Sequence, residues 1–331
     1  MLYRAEKTCF ALFGLTVLWT VALALQSPTN VIWSGFLLAS LLPIALVALA
    51  LFLRRLETLH QSSIALLMLG LYALQSNLIA IVTYLHFPLD RALIDAQLIA
   101  LDATLGYHWP SAVAWLADHP LLARVMAVVY KSSLIQIVLV MAALALMGQS
   151  ARLMHLVLSG MIAVLITVLV WSFWPSFGPS AHFAIAPETA ERAHLVVRPE
   201  YGAYLMRIAE DGLLALDSHM ILGAIALPSF HTVMMLMVVW YARGTVLSWP
   251  VLAVNALMLP AIAIHGGHHV VDILAGGAVF ILAAAATHAL TRADAAALAM
   301  ERAPDTLAHA KARFELWITA RRPQIGDAHR P

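Results

Sequence analysis

Runs of about twenty apolar residues recur along this chain. A segment of that length and character is stable as a helix across the hydrocarbon core of a bilayer, where its backbone polar groups are satisfied within the segment. Eight runs qualify, near 9–25, 32–53, 62–86, 125–147, 153–174, 228–247, 250–265 and 268–290. The first follows Arg4 and Lys7, as in a signal peptide, but no small-residue cleavage site follows it and the next run begins after a short loop, so it reads as a retained helix. Composition agrees: 62% of residues are hydrophobic, 11% are charged and mean hydropathy is +0.86, whereas about a quarter of a soluble domain is charged. The expected fold is an all-α integral membrane protein with about eight transmembrane helices.

What remains of the charge excludes some functions and sets an orientation. A net charge of +1 leaves no basic surface for nucleic acid. The single cysteine, Cys9, allows neither an intramolecular disulfide nor a thiolate metal site. Loops rich in Lys and Arg stay cytoplasmic. With the N-terminus inside, thirteen of the nineteen basic residues face the cytoplasm: Arg4, Lys7, Arg54, Arg55, Arg152, Arg243 and seven between Arg292 and Arg330. Both termini are then cytoplasmic, and the other six, Arg91, Arg124, Lys131, Arg192, Arg198 and Arg207, fall on or near the two outer loops, 87–124 and 175–227. In a bacterium this is the inner membrane, with the outer loops on the periplasmic face.

Three segments follow: a two-helix membrane segment over 1–58, a membrane core over 59–290 and a charged cytoplasmic tail over 291–331, in which Phe314, Trp317 and Ile318 suit a short surface helix. The apolar residues of 90–105 alternate with Asp95, Gln97 and Asp102 at helical spacing, which predicts a helix lying in the interface, with Trp109 and Trp115 at the same depth. Gln75 and Asn77, mid-run in the third helix, read as hydrogen-bond partners of neighbouring helices.

Chemistry concentrates in two outward-facing clusters. Pro228-Ser229-Phe230-His231 opens the sixth run, with Pro228 suited to the first helical turn, where free backbone N–H groups favour an anion. His265-Gly266-Gly267-His268-His269-Val270-Val271-Asp272 opens the eighth. His268 and Asp272, spaced i, i+4, share a helix face, so the carboxylate holds one ring nitrogen and leaves the other free to attack. Paired with His231, this supplies a nucleophile and a proton shuttle for phosphoryl transfer. His269 projects about 100° away and is left out of that set.

Pro228-Ser229-Phe230-His231 followed by His268-x-x-x-Asp272-x-x-x-Gly276 resembles the second and third signature motifs of the type 2 phosphatidic acid phosphatase superfamily. The His-His-x-x-Asp form and the loop Trp174-Pro175-Ser176-Phe177-Gly178-Pro179 are most similar to its inositol-phosphorylceramide synthase branch. The resemblance covers roughly 60–290 and implies a six-helix phosphatase-type core preceded by two added helices. It implies His268 as nucleophile, His231 as general acid and base, Asp272 as the group orienting His268, and Ser229 as a phosphate ligand, with no cofactor or metal. The implied partners are the bilayer, a lipid phosphate, lipid pyrophosphate or phospholipid substrate, and a second lipid alcohol where water is not the acceptor.

The chain departs from that pattern where many members carry Ser-Arg before the nucleophile; here Ala261 and Ile262 stand there, and the basic first motif is absent. Lys131 and Arg207 are the candidates to neutralise the phosphate, although Lys131 equally suits a lysine snorkelling to the headgroups. His265, Tyr130 and Gln136 are candidates to support the first contacts. Two alternatives use the same features: a zinc hydrolase with His231, His265, His268 and Asp272 as ligands, and a lipid transporter, for which polar residues gathered at one face form a poor path.

Overall fold

The computed structural model describes residues 2–56 and 59–302, with side chains through residue 292. It is an all-α integral membrane protein. Residues 1–291 form one compact unit. Its long helices are α1 (Arg4–Gln26), α2 (Trp33–Leu53), α3 (His60–Tyr84), α8 (Ser150–Phe173), α12 (Ser248–His265) and α13 (Val270–Arg302), and these six are long and apolar enough to cross a membrane. Between α3 and α8 lie α4 (Asp95–Thr104), α5 (Trp109–Ala117), α6 (Pro120–Lys131) and α7 (Ser133–Leu146); between α8 and α12 lie α9 (Pro187–Arg192), α10 (Pro199–Asp211) and α11 (Phe230–Ala242). The expected tail helix at Phe314, Trp317 and Ile318 falls outside the described residues.

Six of the eight expected spans are therefore single long helices, and the other two are built differently. The run at 125–147 breaks at Ser132 into α6 and α7, and α6 folds back on α5 with a bend of 118°. The run at 228–247 is the thirteen-residue α11. Ser229 is its N-cap, its hydroxyl accepting from the Thr232 N–H at 3.4 Å, so Pro228 stands before the cap and not in the first turn. Serine wins that position because its side chain satisfies an otherwise orphaned helix N–H.

Apolar surface gains little from leaving lipid, so bundle helices associate through close packing and interhelical hydrogen bonds. Small residues mark the contacts. A Cβ on Gly70 of α3 would meet the Pro43 carbonyl of α2 at 2.8 Å, and one on Gly160 of α8 would meet Met237 of α11 at 2.8 Å. Gln75 donates to Thr16 Oγ1 at 2.8 Å, and Asn77 to the Phe36 carbonyl and Ser40 Oγ, the neighbouring-helix role expected of both. The outer apolar residues of α1 and α2, such as Leu18 and Leu38, remain exposed for lipid.

The segment before α5 differs from expectation in a way that builds the site. Helix α4 exists, but Asp95 and Asp102 are buried and do not face the interface, because each finds hydrogen-bond partners inside the protein. Trp109 is buried and donates to the Ile264 carbonyl at 3.0 Å, while Trp115 is exposed. A two-residue parallel pairing, Asn30–Val31 with Ala215–Leu216, ties the α1–α2 connection to the second outer loop.

Candidate functional site

The N-terminus of α11 and the turn preceding α13 meet at one end of the bundle. The Ser229 N–H donates to the Asp272 carbonyl at 2.9 Å, and a Cβ on Gly276 would lie 2.4 Å from the Ser229 carbonyl, so only glycine lets the two helices approach this closely. That contact brings the two clusters together.

His268 is nearly fully buried. Its Nδ1 lies 3.2 Å from Asp272 Oδ2, and its Nε2 lies 3.3 Å from Ser229 Oγ. An ionised carboxylate only accepts, so it fixes the proton on Nδ1 and leaves the Nε2 lone pair directed at the Ser229 side. The His231 and His268 rings are 6.3 Å apart, a gap that admits a tetrahedral group. Tyr130 stacks on His231 at 4.2 Å, with its hydroxyl 3.3 Å from Nδ1, which leaves the opposite nitrogen of that ring for proton transfer.

His231, His268, Tyr130 and Gly266 line a cavity of about 490 Å3 together with Arg198, Glu200, Tyr201 and the loop residues 222–226. The guanidinium on this cavity is thus Arg198, which sequence reasoning had not singled out. Arg207 does not line it and sits 5.5 Å over the Tyr204 ring. Lys131 lies on two neighbouring cavities, one of them an apolar chamber of about 550 Å3 that also borders Tyr130 and His231. Gln136 accepts from Asn255 at 2.6 Å and donates to Ser132, joining α7 to α12 away from this cavity. His265 is buried; neither of its ring nitrogens reaches a partner in full hydrogen-bond geometry, although the backbone at Ala123 and His194 is close. Among the described residues no three His, Cys, Asp or Glu side chains are disposed to share a metal ion.

Beneath the histidine pair lies a buried ionic cluster. His269 Nδ1 is 2.7 Å from Asp102 Oδ2, its Nε2 is 3.4 Å from Asp95 Oδ1, and its backbone N–H donates to Asp272 Oδ2 at 2.8 Å. Asp95 also accepts from Ser176 Oγ and the Phe177 and Gly178 N–H groups, and His182 lies 3.5 Å away. Burial by itself would raise the Asp95 carboxyl, but hydrogen bonds from His182, His269 and Ser176 outweigh it and hold the carboxyl well below its ordinary value. Burial would lower His269; the Asp95 and Asp102 hydrogen bonds and the Asp272 charge instead carry it above its ordinary value. His269 thus lies between two buried carboxylates that favour its protonated form.

The cluster fixes the 174–180 loop over the site. Gly178, at φ 81°, approaches so closely that a Cβ there would collide with the Gly267 carbonyl, and Gly267 itself, at φ 58°, has no room beside Ser180. Both positions need glycine for conformation and for space. The signal for this cluster was present in the sequence, since Asp95 and Asp102 are two turns apart and share a face of α4.

A family described as the PAP2 superfamily matches residues 96–286, more than half of the chain. No curated protein and no solved structure gives a significant match. The matched stretch contains Ser229, His231, His268 and Asp272 together with Asp102 and His269.

Proposed function

The chain belongs to the PAP2 superfamily, whose members are in general phosphatases, and on that premise we propose that it transfers the phosphoryl group of a lipid phosphate or phospholipid headgroup through a phosphohistidine on His268. The observation that carries this reading is the chain of contacts from Asp272 through His268 to Ser229, facing His231 across one cavity. His268 Nε2 forms the bond to phosphorus as the bond to the leaving oxygen breaks, and His231 gives that oxygen a proton. In the second step an acceptor hydroxyl passes its proton to His231 and attacks phosphorus, and the P–N bond breaks. Ser229 and Arg198 hold the phosphoryl oxygens, with the α11 N-terminus adding its dipole. Tyr130 holds His231, and Asp272 orients His268.

A lipid alcohol as acceptor, as in the inositol-phosphorylceramide synthase branch, is favoured by the apolar chamber beside His231, which offers a second chain a place next to the proton-accepting ring. Purified protein given a lipid substrate with labelled phosphate is expected to release inorganic phosphate in water alone and to move label onto added diacylglycerol or ceramide. Label that stays on the substrate in every condition would refute the transfer reading.

Sidedness follows from the basic residues. We place the site on the outer, periplasmic face and both termini in the cytoplasm. In a Cys9→Ser background, a cysteine replacing the highly exposed Leu214 is expected to react with a membrane-impermeant thiol reagent in intact cells, and one replacing Val246 is not. The opposite pattern would invert the topology. Gly178 and Gly266 are unsuitable for this test because neither has room for a Cβ.

A further inference from the structure

Next to the catalytic cavity lies a second one, of about 430 Å3. Arg124 and Lys131 come from the same wall, two turns apart on α6 and so about 10 Å along its axis. Glu191, His194 and Arg198 face them from the second outer loop. Arg198 lines both cavities, so the two adjoin at this residue. Three permanent cations thus surround a space holding one carboxylate. Among the described residues, none of the three side chains makes an ion pair or hydrogen bond, whereas Arg54 and Arg192 are both paired. His194 takes a left-handed φ of 47° in the turn that ends α9, where its N–H donates to the Glu191 carbonyl at 3.0 Å.

Like charges gathered around a cavity repel, and an anion between them removes the repulsion while gaining charge-assisted hydrogen bonds. A lysine reaching for the headgroups explains Lys131 alone, not the convergence of Arg124 and Arg198 from separate elements. Resting on the phosphoryl-transfer reading above, we propose that Arg124, Lys131, His194 and Arg198 form a second anion site that binds a phosphate group other than the one being transferred. Arg198 sits between the two phosphates. The occupant is either a further phosphate on the substrate headgroup or free inorganic phosphate, which share the same recognition chemistry.

The test is kinetic, on the full chain, with a lipid diphosphate and a lipid monophosphate of identical chains. If the second phosphate belongs to the substrate, the wild type favours the diphosphate by about tenfold or more in kcat/KM. The Arg124→Gln/Lys131→Gln double variant then loses that preference. If free phosphate is the occupant, inorganic phosphate inhibits monophosphate turnover in the wild type and much less in the double variant, with no preference between lipids. A wild type with neither behaviour, or a double variant that keeps it, overturns the proposal. Both replaced side chains are exposed, and an unchanged thermal midpoint verifies the fold. Should the wild type turn over neither lipid, the transfer reading fails. Equilibrium binding of the two lipids and of inorganic phosphate then reads the site alone: a diphosphate advantage or phosphate binding that the double variant loses supports it, and equal behaviour overturns it.

Discussion

His268→Ala is expected to reduce turnover to background, a loss of about 10^4-fold or more, because no other side chain stands ready to take the phosphoryl group. Its Nε2 is the nitrogen that faces Ser229 and the cavity, the other being committed to Asp272. His231→Ala is expected to cost about 10^2–10^4-fold, the range for removing a positioned proton donor, with greater loss for substrates whose leaving group is poor. Asp272→Asn keeps the shape of the pocket but not the proton position on His268, so kcat falls by about 10–100-fold while KM changes little. Steady-state rates on the purified variants, each checked for an unchanged thermal midpoint, decide this. Near-normal rates in either histidine variant would sink the assignment.

The second large effect is on stability. His269→Ala leaves Asp95 and Asp102 buried without their common partner, and removing one member of a buried ion pair typically costs about 3–5 kcal/mol. The thermal midpoint in detergent is expected to fall sharply, and activity with it, since the same cluster positions Asp272 and the 174–180 loop. Asp95→Ala should act similarly, and the two substitutions together should cost less than their sum, because each removes the partner the other orphans. The cluster also sets a pH dependence. The raised His269 contributes stability fully below its ordinary value of 6.5, and that contribution is lost as pH rises through its elevated pKa; the depressed Asp95 contributes above its ordinary value of 3.8. The wild-type midpoint should therefore decline on the alkaline side, and His269→Gln should flatten that decline. A His269→Ala protein as stable as wild type would contradict the account.

The long spans and the pairing of His268 with Asp272 were legible because apolar length and i, i+4 spacing are strong one-dimensional signals. The break at Ser132 was not, since α6 and α7 together read as one apolar run and only the packing of α6 against α5 and α12 separates them. The burial of Asp95 and Asp102 was hidden for a related reason: an amphipathic helix that buries its acidic face and one that exposes it carry the same pattern, and the deciding partner, His269, lies far away in sequence. His269 was set aside because helical geometry turns it from His268. The turn before α13 turns it instead onto α4, where it supports the pair from beneath. Arg198 carried no sequence signal beyond its charge, and only the fold of the second outer loop brings it to the cavity.

The central claim, a covalent phosphohistidine, predicts the stereochemical course at phosphorus. Each in-line displacement inverts the phosphorus centre, so two in succession give net retention, whereas a single direct attack by water or a lipid alcohol gives inversion. A lipid phosphate made chiral with sulfur and oxygen isotopes, turned over by the wild-type protein and analysed for product configuration, separates the two without any intermediate having to accumulate. Retention is the result expected of His268 as nucleophile; inversion would show that phosphorus never bonds to it.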